Sequence, residues 1–148
     1  MKPPIMNNVR ETTNNNFLGV IRIILGVMFV MTGFMKLFIP AFTEAWLGQL
    51  IQAGMPFVTL NFFFVPLVEI VLGLLLVKGY FVRFFILIIF PIMFVAIYVH
   101  FVVDDPALFP LQPKAPIIPF IVLIMAGLLL RGGGGSWSAD LKWSMKKT

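Results

Sequence analysis

Among the polar side chains inside long apolar runs, four are candidates for chemistry: Arg22, Lys36, Glu69 and His100. A charge facing lipid costs a few kcal/mol even on the lenient insertion scale, so each must face protein, reach an interface or find a partner. Glu69 is the one acid well inside an apolar run. Helical rise puts it about 12 Å from the end of that run, and puts Arg22 about 6 Å from the same end of the first run. An extended arginine covers the difference, so an Arg22–Glu69 ion pair is expected, with Gly73 one turn below Glu69 opening the face for close approach. Such a carboxylate either fixes helix register as half of a buried pair, or carries a proton or binds a ligand.

The other candidates gather at two depths. Pro66 and Pro91 fall near the middle of their runs, and each removes a helical hydrogen bond and frees a carbonyl one turn earlier. They are either ordinary kinks or the walls of a polar cavity at mid-depth around Glu69. His100 lies at about the level of Lys36, with Asp104 and Asp105 just beyond. This layer is either structural or suited to a polar headgroup or a proton relay. The chain has no cysteine and one histidine, so disulfides, thiolate metal sites, iron–sulfur clusters and bis-histidine haem are excluded. No metal site and no intrinsic cofactor is expected. Nucleophile–base pairs and phosphate-cradling loops are missing too, and no catalytic residue is assigned.

The elements that must position these groups follow from composition. Of 148 residues, 60% are hydrophobic and 11% charged, with mean hydropathy +1.02, whereas soluble domains carry about 25% charged residues. The solvent is therefore mostly lipid. The net charge of +5 fits cations collected on one membrane face and does not call for nucleic acid. The pattern predicts an all-α integral membrane four-helix bundle, with spans at about 17–39, 57–77, 81–103 and 116–134 inside a domain of residues 17–135. The first run is too long for a signal-peptide core and lacks a small-residue cleavage site. Residues 1–16 form a mobile polar tail and residues 136–148 a basic one. Between spans one and two, Phe42, Trp46, Leu50 and Ile51 share a helical face, with Thr43, Glu44, Gln49 and Gln52 away from it, which suggests a short interfacial helix. Lys78-Gly79-Tyr80 forces spans two and three into antiparallel neighbours. The proline-rich loop 104–115 reads as extended and without a helix, and the fourth span starts at Pro116 and runs past Arg131. With four spans, nine cations lie on one side and two, Lys36 and Lys114, on the other. That places both termini in the cytoplasm.

Span one carries two interleaved heptads. Gly19, Gly26 and Gly33 are seven apart, as are Arg22, Phe29 and Lys36. Together they form a seam that favours a left-handed crossing, where glycine admits a neighbouring backbone.

The run Arg22-x3-Gly26-x2-Phe29-x3-Gly33-x2-Lys36-Leu37 resembles the first-span signature of the DoxX family of small four-helix membrane proteins. Gly54-x-Pro56, then Glu69-x3-Gly73-x2-Leu76-x2-Gly79 with Arg83, then His100 follow in the family's order. Trp137-Ser138-Ala139-Asp140 is similar to its ending, although Gly134 and Ser136 stand where the family has proline and arginine. The resemblance covers about residues 17–141. It implies a multi-pass protein of a bacterial cytoplasmic (inner) membrane, associated with a membrane oxidoreductase and with quinone or lipid as a non-covalent ligand. The alternative is a non-catalytic scaffold that packs on other membrane subunits or on copies of itself. Either way the chain reads as an accessory subunit more than a stand-alone enzyme.

Overall fold

The computed structural model describes residues 9–146, and among these every regular element is helical. Helix α1 is Asn16–Phe38, α2 Pro40–Gln52, α3 Val58–Lys78, α4 Val82–Val102, α5 Ile117–Gly132 and α6 Ala139–Met145. Three of them, α1, α3 and α4, are long and apolar enough to cross a membrane. Helix α5 is apolar too but shorter, at 16 residues, or about 24 Å. It ends one residue beyond Arg131, at Gly132, whose cap Gly133 has φ 77°. The loop before it holds a 3-10 turn, Pro106–Leu108, where a wholly extended segment was expected. Asp105 nucleates that turn by accepting from the Ala107 N–H at 2.9 Å.

Local chemistry explains the ends. Asn15 caps α1, its side chain accepting from the Leu18 N–H, so an orphan donor of the first turn is satisfied. Pro40 supplies the first turn of α2, where its missing N–H is harmless. Gly79 closes α3 at φ 68°, a left-handed cap that glycine adopts without strain. Pro66 lies inside α3 and leaves the Phe62 carbonyl without its helical donor. The Trp46 indole N–H of α2 donates to that carbonyl at 3.2 Å, which keeps the helix satisfied and pins α2 to α3.

Packing follows the glycines. A Cβ on Gly26 would stand 2.8 Å from the Gly73 carbonyl, one on Gly73 2.5 Å from the Gly26 carbonyl, and one on Gly33 2.5 Å from the Pro66 carbonyl. These contacts set an antiparallel register in which residue 26 faces 73 and residue 33 faces 66. Gly19 serves a different neighbour, since its missing side chain makes room for Ser136 and Trp137 of the C-terminal segment. Helix α5 packs on α4 and more lightly on α1, and α3 packs chiefly on α1. The sequence of contacts is therefore α3, α1, α5, α4. The core along these seams includes Leu25, Phe29, Leu72, Leu76, Ile86, Ile89, Val122, Ala126 and Leu129.

The hairpin did not make α3 and α4 close neighbours. They are joined by a tight turn, yet they share few contacts. The glycine seam draws α3 onto α1, and the apolar face of α4 is taken by α5, so the pair splays from a common hinge.

Candidate functional site

Glu69 pairs with Lys36 and not with Arg22. The lysine ammonium stands 2.7 and 2.9 Å from the two carboxylate oxygens, and the Glu69 side chain is only 5% exposed. The expected Arg22–Glu69 pair fails for a reason visible in the register. Side chains on a helix lean toward its N-terminus. In the antiparallel α1–α3 pair Glu69 lies level with residue 30, between the two cations. Lys36 leans back along α1 toward that level, and Glu69 leans along α3 toward Lys36. Arg22 leans the other way. The Lys36 ammonium also lies 4.5 Å from the centroid of the Trp46 ring, a cation–π contact that helps hold it.

Arg22 is fully buried and spends its guanidinium on carbonyls. Its Nε donates to Gly134 O at 2.7 Å, and its Nη atoms donate to Leu76 O, Val77 O and Ser136 O. Leu76 and Val77 close α3, where unpaired carbonyls and the helix dipole favour a cation. Arg22 therefore ties α1, the end of α3 and the C-terminal segment into one knot.

A cavity of about 350 Å³ lies beside the ion pair, within the size range of small-molecule sites. Its walls include Thr32 and Lys36 of α1, Trp46 and Gln49 of α2, Asn61 and Glu69 of α3, Pro91 and His100 of α4, and Val122 of α5. The two depths distinguished in the sequence thus meet in one cavity. Pro91 lines it, whereas Pro66 sits behind it in the α1–α3 seam. His100 is held by its Nδ1 on the Ala96 carbonyl at 2.8 Å and by the Phe109 ring, 4.5 Å between centroids. In the neutral ring that bond places the hydrogen on Nδ1, so Nε2 is an acceptor. Nε2 is covered and has no hydrogen-bond partner among the described residues.

The acids expected beside His100 lie elsewhere. Asp104 pairs with Lys114 at 2.9 Å on the open surface, and that hydrogen bond and charge hold its carboxyl below the usual range. Asp105 caps the 3-10 turn. The inward face of α2 is also rotated from the expected one, with Ala45, Trp46, Gln49 and Leu50 buried and Ile51 exposed. Gln49 turns inward because its amide donates to the Leu108 carbonyl.

A second polar cluster, which sequence reasoning missed, sits at the α3–α4 turn. Asp140 is almost fully buried, accepting from the Phe81 and Val82 N–H groups at 3.1 and 2.9 Å and pairing with Arg10 at 2.9 Å. It thereby caps α4 and supports Phe81, whose φ of 49° is strained for a bulky residue. The Arg10 guanidinium lies 4.7–5.0 Å from the rings of Tyr80, Phe81 and Trp143. Thr13 N–H donates to Gly132 O and Ser136 N–H to Asn15 O, so the end of the polar N-terminal tail is woven into the C-terminal segment. Residues 1–8 of that tail, and residues 147 and 148 of the basic tail, lie outside the described residues. The signal for this cluster was a lone acid in an otherwise basic tail.

Long apolar helices, buried charges satisfied by carbonyls or by each other, and apolar side chains turned outward (Phe57, Phe63, Phe64, Phe94 and Ile124 are all more than half exposed) define a helical membrane protein. The DoxX family profile matches residues 17–102, more than half of the chain, and the chain belongs to the DoxX family. No curated protein and no solved structure matches it significantly.

Proposed function

We propose that this chain is an accessory subunit of a membrane oxidoreductase that holds quinone non-covalently in the cavity beside Lys36 and Glu69. In this reading α5 completes a four-span bundle, α2 lies in the membrane interface, and both termini face the cytoplasm of a bacterial cell. The nine-to-two cation asymmetry supports that orientation. The outward apolar faces meet lipid and the other membrane subunits or copies of the chain.

The observation that carries the reading is a cavity, largely apolar, with an ion pair set in its wall. A quinone brings its own redox chemistry, and the protein need supply an apolar slot, orientation and a polar partner. The residues fit that demand. The Lys36 ammonium keeps one donor beyond the two bonds to Glu69, suited to a quinone carbonyl, and the aliphatic and aromatic walls suit the ring. A pure scaffold forecasts a sealed Glu69 with no cavity reaching it, so the cavity favours the binding reading.

The test is quinone content in lipid extracts of gently purified protein, wild type against Glu69→Gln. Quinone should accompany the wild type in near-stoichiometric amount and fall in the variant. Its absence from wild type, or an unchanged amount in Glu69→Gln, sinks the proposal and favours the scaffold.

A further inference from the structure

We infer that the cavity opens sideways into the bilayer between α3 and α4, and that its occupant is a long-tailed amphiphile whose head reaches Lys36 and Glu69 while its tail stays in lipid. The isoprenoid character of the tail rests on the quinone reading above; the opening itself does not.

The walls give the direction. The contact order α3, α1, α5, α4 leaves four seams around the cavity, and three are filled. The first is closed by the interlocked glycines of α1 and α3. The second holds the buried Leu25 and Phe29 of α1 with Val122 and Ala126 of α5, and at the hairpin end Leu18 of α1 packs against Gly132 of α5. The third is closed by the buried residues Ile86, Ile89, Val122 and Ala126 of α4 and α5. Both ends are covered as well. At the hairpin end Arg22 knots α1 to the α3 terminus and the C-terminal segment. At the other end α2 and the 3-10 turn are joined by the Gln49–Leu108 bond, and Phe109 packs with Ala53, Val99 and Val103.

The fourth seam, α3 against α4, has few contacts beyond the turn that joins the helices. Asn61 and Val65 on one side and Pro91 and Val95 on the other all line the cavity. Pro91 and Val95 are both well exposed, Val95 by 43%. Lipid tails are as apolar as these walls, so no hydrophobic force draws the two helices together. In water the same gap would collapse.

A ligand using this route must partition into the bilayer first, which selects an amphiphile over a soluble anion. A buried ion pair at the end of an apolar passage then binds the polar head.

The test uses the absence of native cysteine. Val65→Cys and Val95→Cys, placed together in a Trp137→Phe, Trp143→Phe background, leave Trp46 as the reporter in the cavity wall. The protein is reconstituted in vesicles of lipid brominated on the acyl chains, and the pair is then bridged with a short bismaleimide. Bridging should relieve quenching of Trp46 by the brominated chains, and should slow exchange of decyl-ubiquinone by about tenfold, as expected when a route of exit is lost. Single-cysteine variants treated alike should show neither change. Quenching that is unaffected by bridging overturns the lateral opening. Quenching relieved by bridging, with no decyl-ubiquinone bound before or after, upholds the opening and overturns the quinone reading.

Discussion

Removing Lys36 should damage the protein more than removing Glu69, although the two form one ion pair. The side chains differ in what remains to them. Glu69 is 5% exposed and Lys36 23% exposed, and the lysine keeps the Trp46 ring at 4.5 Å when the acid is gone. Among the described residues Lys36 is the only hydrogen-bond partner of the Glu69 carboxylate. Stranding one member of a buried pair costs about 3–5 kcal/mol, and Lys36→Met should fall in that range. Glu69→Gln leaves an ammonium with a cation–π contact worth about 0.5–2 kcal/mol and partial access to water, so its loss should be about 2–3 kcal/mol. Replacing both, Lys36→Met with Glu69→Gln, removes the stranded charge and should recover more than half of the larger loss. The assay is reversible unfolding of purified protein in mixed micelles at fixed detergent ratio, followed by Trp fluorescence. Two outcomes refute the reasoning: strictly additive losses, or a larger loss for Glu69→Gln than for Lys36→Met. A cycle of Arg22→Gln with Glu69→Gln should be additive, because the arginine leans away from the acid.

Three further outcomes are expected. Gly26→Ala places a methyl 2.8 Å from the Gly73 carbonyl and should destabilise by about 1–3 kcal/mol, whereas Gly127→Ala meets nothing within 4 Å and should be neutral or stabilising by up to about 1 kcal/mol in the same unfolding assay. Asp140→Asn weakens the cap on α4 and removes the charge that pairs with Arg10, so it should lower stability by about 1–3 kcal/mol and speed proteolysis of the C-terminal segment; equal cleavage rates would show that the cluster is dispensable. Ser144→Cys should be protected from a membrane-impermeant maleimide in intact cells and Ala107→Cys labelled, with the reverse pattern overturning the orientation.

The sequence by itself determined the helices and their company. Lipid burial is a local, additive property, so the apolar runs at 17–39, 57–77 and 81–103 announced α1, α3 and α4 without knowledge of their neighbours. The heptads of Gly19, Gly26 and Gly33 and of Arg22, Phe29 and Lys36 marked the inward face of α1, because helical period alone decides which residues share a face. The family was legible too, since its signature is carried by those same local spacings. Tertiary structure decided everything that depends on reach. Which cation meets Glu69 turns on the antiparallel register and on the lean of each side chain toward its own N-terminus, neither of which a distance along one helix reveals. The inward turn of Gln49 needed the Leu108 carbonyl, 59 residues away, and the burial of Asp140 needed the free N–H groups of Phe81 and Val82. The splay of α3 from α4, and with it the cavity, came from competition: the glycine seam held α3 more closely than the hairpin could, and in lipid nothing hydrophobic closes the gap that remains.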